Sequence, residues 1–220
     1  MTTMQIKIHV LSPIHLGSGQ EDVNLDAEVI RDDAGFPFFP AKRFKGLLYE
    51  SALEVVEMSE LSGSGLCNRE TLEEIFHHCS SSPIQLIVPN FYLKPTDEYK
   101  TFSEEWKTLQ NTFPEILRPA DVLAEYTTIR YQTKLEKGVA KTGSLHNMRV
   151  VDSGVDFYGT LKLSGGGEKH LRLLALALRN LASAGLKRNR GFGRVSCTMS
   201  LPDGRTEQDL IQAAFQKEAV

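Results

Sequence analysis

The stretch that most constrains this chain is Gly185-Leu186-Lys187-Arg188-Asn189-Arg190-Gly191-Phe192-Gly193-Arg194. It carries four cations and no acid. Its three glycines free the backbone for positive φ and for close approach by a ligand. Before it, Leu171, Leu174, Ala175, Leu178 and Leu181 recur at helical spacing, which predicts a helix over 169–184 with Gly185 as its terminator. After it, residues 195–201 are β-rich. The chain must therefore hold a cationic, glycine-punctuated turn between a buried helix and a strand. Amide and guanidinium donors at such a turn suit phosphate oxygens. A solvated basic turn has the same composition.

The other elements follow from periodicity. Residues 4–11 alternate, with Ile6, Ile8 and Val10 on one face and Gln5, Lys7 and His9 on the other, as in a half-buried strand. Residues 12–19 form a turn-rich loop, and an acidic segment over 22–33 encloses a short β-like pair, Val29-Ile30. A helix is predicted from Ala41 to about Met58, burying Phe44, Leu47, Leu48, Ser51 and Val55. Lys42, Arg43 and Lys45 crowd its N-terminus, where the helix dipole prefers acids, so an anionic partner is expected there. A Ser/Gly linker over 61–65, a short helix over 69–78 and a strand region over 84–92 come next. Residues 94–151 show no sustained period and one possible helix over 103–111, which predicts an irregular, functional lobe. A third strand over 156–163 and a terminal helix over 206–218 complete the chain. Stripped of the insertion, the order is βαββαβ: an α+β, ferredoxin-like (RRM-like) arrangement with one antiparallel sheet and two helices on one face.

Composition sets the outer limits. A length of 220 residues and 41% hydrophobic content suit one globular domain. The net charge of −3 means that any nucleic-acid contact must come from a local patch or from assembly with other subunits. Cys67, Cys79 and Cys197 are an odd set without disulfide-framework spacing, which fits a reducing cytoplasm. Gln5, Lys7 and His9 interrupt the first apolar run, and no run is long enough to span a membrane.

Four stretches, in order, resemble the RAMP superfamily of CRISPR-associated RNA-binding proteins. They are Ser12-Pro13-Ile14-His15-Leu16-Gly17-Ser18-Gly19; Asp26-Ala27-Glu28-Val29-Ile30-Arg31-Asp32 continuing through Gly35-Phe36-Pro37-Phe38-Phe39-Pro40 to Phe44-Lys45-Gly46; Gly138-Val139-Ala140-Lys141-Thr142-Gly143-Ser144-Leu145 leading to Arg149-Val150-Val151; and Lys187 to Arg194. The set is most similar to the repeated backbone subunit of type III effector complexes. That resemblance implies a single RAMP domain: a guide-RNA-binding palm over about 1–92 and 152–204, a thumb over about 93–151 and a C-terminal helix over about 206–218. It also implies guide RNA, target RNA and neighbouring effector subunits, RAMP subunits included, as partners in the cytoplasm.

In the resembling subunits an aspartate before a Val-Ile-Arg segment cuts the target RNA, and Asp26 stands in that position. Asn24 and Leu25 replace the glycines found there in the family. A carboxylate could hold a divalent cation, Mg²⁺ in this reading, or act as base while the RNA 2′-hydroxyl attacks the adjacent phosphate. Without the resemblance, Asp26 is one loop acid beside Glu21, Asp22 and Glu28. Lys187, Arg188, Arg190 and Arg194 would contact phosphates, with Gly191 and Gly193 admitting the backbone. Lys42, Arg43 and Lys45 would line the groove, and Arg130, Lys134, Lys141 and Arg149 would act from the thumb. Phe192 is expected to pack under the loop, and Tyr126 or Tyr131 to stack on a base. Two other roles stay open: a non-catalytic architectural or end-cap subunit, and a metal-independent RNA-processing endonuclease using His15 or His9. Cys67, His77, His78 and Cys79 match no standard zinc spacing.

Overall fold

The computed structural model describes residues 1–19, 25–76 and 83–218. Strand β1 (Thr2–Val10) runs through the centre of the sheet and turns Met4, Ile6, Ile8 and Val10 inward. Helix α1 (Ala41–Ser62) buries Phe44, Leu48, Ser51, Ala52, Val55, Val56 and Ser59. Burying each large apolar side chain of that stripe contributes about 1.5–3 kcal/mol. Pro40 offers no side-chain cap at its start, and Asn90 supplies one from a distance: its Oδ1 accepts from the Ala41 amide at 2.8 Å. The helix runs into the expected linker and ends at Gly63, which is left-handed with φ 67°.

Helix α2 (Arg69–Phe76) packs beside α1, and β2 (Gln85–Ile87) forms the sheet edge. The strand expected over 84–92 is confined to three residues, because Pro89 cannot donate to a ladder. Phe91 and Tyr92 instead make single bridges to Phe39 and Tyr158.

The stretch expected to be irregular contains α3 (Thr96–Thr112), α4 (Pro119–Glu125), β3 (Thr127–Gln132), β4 (Leu135–Glu136), β5 (Val139–Ala140) and β6 (His146–Val151). Strands β3 and β6 form one antiparallel pair and β4 and β5 a second beyond it. Helix α3 lays Phe102 and Trp106 against Phe36 and Tyr126, forming a small satellite core with Ala34 and Val122. Tyr126 is thus half-buried against Phe36, whereas Tyr131 is 65% exposed.

Strand β7 (Asp156–Ser164), helix α5 (Glu168–Asn180), strand β8 (Val195–Ser200) and helix α6 (Glu207–Glu218) complete the chain. The main sheet has the order β2-β7-β1-β8 and is antiparallel throughout, the ferredoxin-like topology. Gly159 lies within β7 because a Cβ there would come 2.6 Å from the Phe91 ring. Helix α5 stops at Asn180, before the expected end at 184, and Gly185 is not its terminator. Residues 182–184 leave the helix to pair with 193–195: Ala184 N–H donates to Gly193 O at 2.8 Å and Val195 N–H to Ala182 O at 3.0 Å. No helix among the described residues is long and apolar enough to cross a membrane.

Candidate nucleic-acid interface

The pairing of 182–184 with 193–195 pinches residues 185–192 into a closed loop that docks on residues 12–16. Leu186 N–H donates to His15 O at 3.2 Å, Gly193 N–H to Pro13 O at 2.9 Å and Arg194 N–H to Ser12 Oγ at 2.9 Å. Gly193 has φ +75°, and a Cβ there would meet Ala184 O at 1.9 Å, so only glycine fits. At the loop tip a short 3₁₀ turn, Arg188–Arg190, lies between two left-handed residues, Lys187 with φ 59° and Gly191 with φ 83°. Backbone bonds thus hold the loop from below and leave Lys187, Arg188, Arg190 and Arg194 exposed.

Two clefts flank the loop. One, of about 280 Å³, is lined by Lys42, Arg43, His15, Gly185 and Leu186 among others, with Glu50 as its one acid. The other, of about 570 Å³, is lined by Ser183, Gly185, Leu186, Lys187, Arg188 and Arg190. The fold therefore brings the N-terminus of α1 and the glycine loop together. Arg43 Nη2 donates to Gly17 O, Arg188 lies 3.7 Å from Glu50, and Lys187 Nζ donates to Gln132 Oε1 at 2.7 Å, tying the loop to β3. Lys45 is half-buried and lines neither cleft.

The thumb cations line neither cleft. Arg130 is exposed on β3 opposite Met148, and Lys141, beyond β5, lies 3.8 Å from Glu136. Arg149 is engaged: its Nε lies 3.0 Å from Glu28 Oε1, both side chains are 17% exposed, and its Nη1 donates to Thr127 Oγ1 at 3.2 Å.

Asp26 sits where its loop runs beside β6. Its amide donates to Asn147 Oδ1 at 2.8 Å, and the Asn147 amide donates back to Asp26 Oδ2 at 2.8 Å. Ala27 bridges to Met148 in parallel, and His146 Nδ1 lies 3.7 Å from Asp26 Oδ2. The Asp26 side chain remains 56% exposed. Among the described residues no three metal-ligating side chains cluster. An exposed carboxylate with its second oxygen outside the Asn147 clasp fits the way Mg²⁺ is commonly held, by one or two carboxylates completed by water and substrate phosphates.

His15 is 2% exposed, and its Nδ1 donates to the Arg149 carbonyl at 2.7 Å. Burial lowers its pKa against the opposing pull of that hydrogen bond, and the charges of Lys187 and Arg43 lower it further. His9 is half-buried on β1 and donates to Asp156 Oδ1 at 2.6 Å. The His15 ring thus braces its loop against β6. Cys67 and Cys197 are buried thiols, pushed by burial up to about 11 and about 12. His77, His78 and Cys79 lie outside the described residues.

Asn147, His146, Gln132 and Glu28 also belong to the site, although nothing in the sequence marks them as site residues. They meet Asp26, Lys187 and Arg149 across more than 50 residues of chain, so no local spacing announces them.

A family model described as the RAMP superfamily matches residues 7–196. The chain belongs to the RAMP superfamily. No curated protein matches it. Among solved structures, this RAMP chain is similar to one described as "Cryo-EM structure of the Type III-B Cmr-beta bound to cognate target RNA", with a TM-score of 0.62 and 15% identity over 95% of this chain and 98% of that one. It is also similar to "Type III-B Cmr-beta Cryo-EM structure of the Apo state", with a TM-score of 0.58 and 16% identity over the same shares. At such identities the likeness is one of fold.

Proposed function

We propose that this RAMP protein is a CRISPR RNA-binding subunit of a type III effector ribonucleoprotein and cuts guide-paired target RNA in antiviral defence. The observation that carries the reading is the joining of the α1 N-terminus and the glycine loop into one cationic surface, with exposed Asp26 on the β3–β6 side of the same fold. The RNA-bound complex named for a similar structure supports it.

The chain's own residues would act as follows. Lys42, Arg43, Lys187, Arg188 and Arg190 hold guide phosphates without reading sequence, which base pairing supplies. Arg130 and Lys141 act from the thumb, and Tyr131 is its exposed aromatic. Gly191 and Gly193 keep the loop backbone bare for close approach. Arg149 braces the Asp26 loop through Glu28 rather than meeting solvent. Asp26 would face the target backbone, where the 2′-hydroxyl attacks the adjacent phosphate in line, forming a 2′,3′-cyclic phosphate as the bond to the 5′-oxygen breaks and that oxygen leaves with a proton. Asp26 would hold Mg²⁺, whose charge favours the crowded phosphate, or take the hydroxyl proton. Neighbouring RAMP subunits would extend the surface along the guide, in keeping with a net charge of only −3 on this chain.

One observation favours an architectural role instead: half of the Asp26 carboxylate is engaged by the Asn147 amide. The burial of His15 speaks against the processing-enzyme reading, because that ring does not face solvent. Guide-RNA binding by the Arg188→Ala, Arg190→Ala double variant tests the interface. Weaker binding with a flatter salt dependence is expected, and unchanged binding removes the glycine loop from the interface.

A further inference from the structure

A third cleft, sharing no lining residue with the two beside the glycine loop, lies where the α3–α4 lobe meets β7. It measures about 390 Å³ and is lined chiefly by Phe36, Lys94, Phe102, Tyr126, Asp156 and Tyr158. That volume falls within the range of about 300–1,000 Å³ usual for small-ligand sites. On the sheet side, Tyr158 stands opposite Lys7 in register, on the face that carries the polar side chains of β1, and Lys7 Nζ lies 5.8 Å from its ring centroid. On the lobe side, Phe102 rests on Phe36 at 5.1 Å, with Lys94 Nζ 5.5 Å from the Phe102 centroid.

The charges of the cleft are unequally spent. Asp156 already accepts from Lys7 at 2.8 Å and from His9 at 2.6 Å, and the Tyr158 hydroxyl donates to it at 3.3 Å. Lys94 has no carboxylate partner among the described residues. A cleft with aromatic rings on two walls and, at its rim, an exposed ammonium that has no carboxylate partner matches a planar, anionic ligand.

We propose that this cleft takes one unstacked RNA nucleotide, its base against Phe102 and Tyr158 and its phosphate at Lys94. Single-stranded RNA is bound in this way elsewhere, with bases splayed onto aromatic side chains and the backbone held by cations. The Asp156 oxygens are taken and do not read the base edge, and stacking on the rings accepts any of the four bases. The inference rests on the RNA-binding reading above and adds a second, stacking site to it.

The test uses the full chain and single-stranded RNA of mixed sequence carrying 4-thiouridine. Irradiation should crosslink the RNA to peptides containing Phe102 or Tyr158. Phe102→Leu keeps an apolar side chain in the satellite core but removes the stack, and should weaken binding by about 5- to 150-fold, with Phe102→Tyr restoring it. Lys94→Ala should reduce the salt slope by about 0.7, the loss of one phosphate contact on a single strand. If RNA binds, the Arg188→Ala, Arg190→Ala variant loses it, and Phe102→Leu neither lowers affinity nor alters the crosslinks, the cleft is the rim of the satellite core and only this inference fails. If the wild-type chain binds no RNA, both fall.

Discussion

Asp26 and Asn147 clasp each other across 121 residues by two hydrogen bonds, each backbone amide donating to the other's side chain at 2.8 Å. The clasp fixes the loop carrying the candidate cutting residue against the start of β6. In-line attack depends on geometry, and displacement of a reacting group by about 1 Å can cost about a hundredfold in rate.

Asn147→Ala removes one hydrogen bond of that clasp without touching the carboxylate. It should slow target cleavage by about 10- to 100-fold while leaving guide affinity unchanged, as single-turnover cleavage and filter binding would register. Equal loss of both would mean that Asn147 supports the fold rather than the Asp26 loop.

Two glycines of the basic loop make opposite demands. A Cβ at Gly193 would lie 1.9 Å from Ala184 O, whereas one at Gly191 would meet nothing within 4 Å, although both residues have positive φ. Gly191→Ala should therefore cost only the left-handed penalty of about 1–2 kcal/mol. Gly193→Ala should cost more, or block folding, because the 182–184 pairing must give way. Thermal melts distinguish them, since about 1 kcal/mol shifts Tm by about 2–4 °C at this size.

His15 gives the protein a pH dependence of known sign. Its folded pKa lies below 6.5, chiefly because burial disfavours the imidazolium. The unfolded chain therefore takes up the proton first, and the contribution to stability, full above about 6.5, declines as pH falls through the folded pKa. Urea denaturation between about pH 7.5 and 5 should show this decline. His15→Gln, which can still donate to the Arg149 carbonyl, should flatten it.

The sequence made some of this fold legible and hid the rest for physical reasons. Strands β1, β7 and β8 and helices α1 and α5 each bury one face of a single core, so their periodicity is strong. Within α3 the inward stripe is Tyr99, Phe102 and Trp106, aromatic residues set among Glu98, Lys100, Glu104, Glu105 and Lys107. That stripe has the helical i, i+3, i+7 spacing, and Asp97 and Glu98 mark the first turn after Pro95, signals that could have moved the expected start from 103 to 96. Strand β3 is exposed along most of its length, so the alternation of Ile129 and Tyr131 with Arg130 and Gln132 marks no buried face and is too short to stand out. The glycine loop was recognisable by composition, but its early release from α5 follows from pairing with 193–195, a contact that the leucine repeat does not encode. Asp26 was placed by resemblance, whereas its clasp with Asn147 exists only in three dimensions.

The most direct test is target-RNA cleavage by the effector complex reconstituted with its guide RNA, comparing wild type with Asp26→Ala, in Mg²⁺ and in EDTA. Regularly spaced cuts should appear with the wild-type chain in Mg²⁺, and vanish with Asp26→Ala or EDTA while guide binding persists. Undiminished cutting by Asp26→Ala would contradict the account and leave this RAMP chain an architectural subunit.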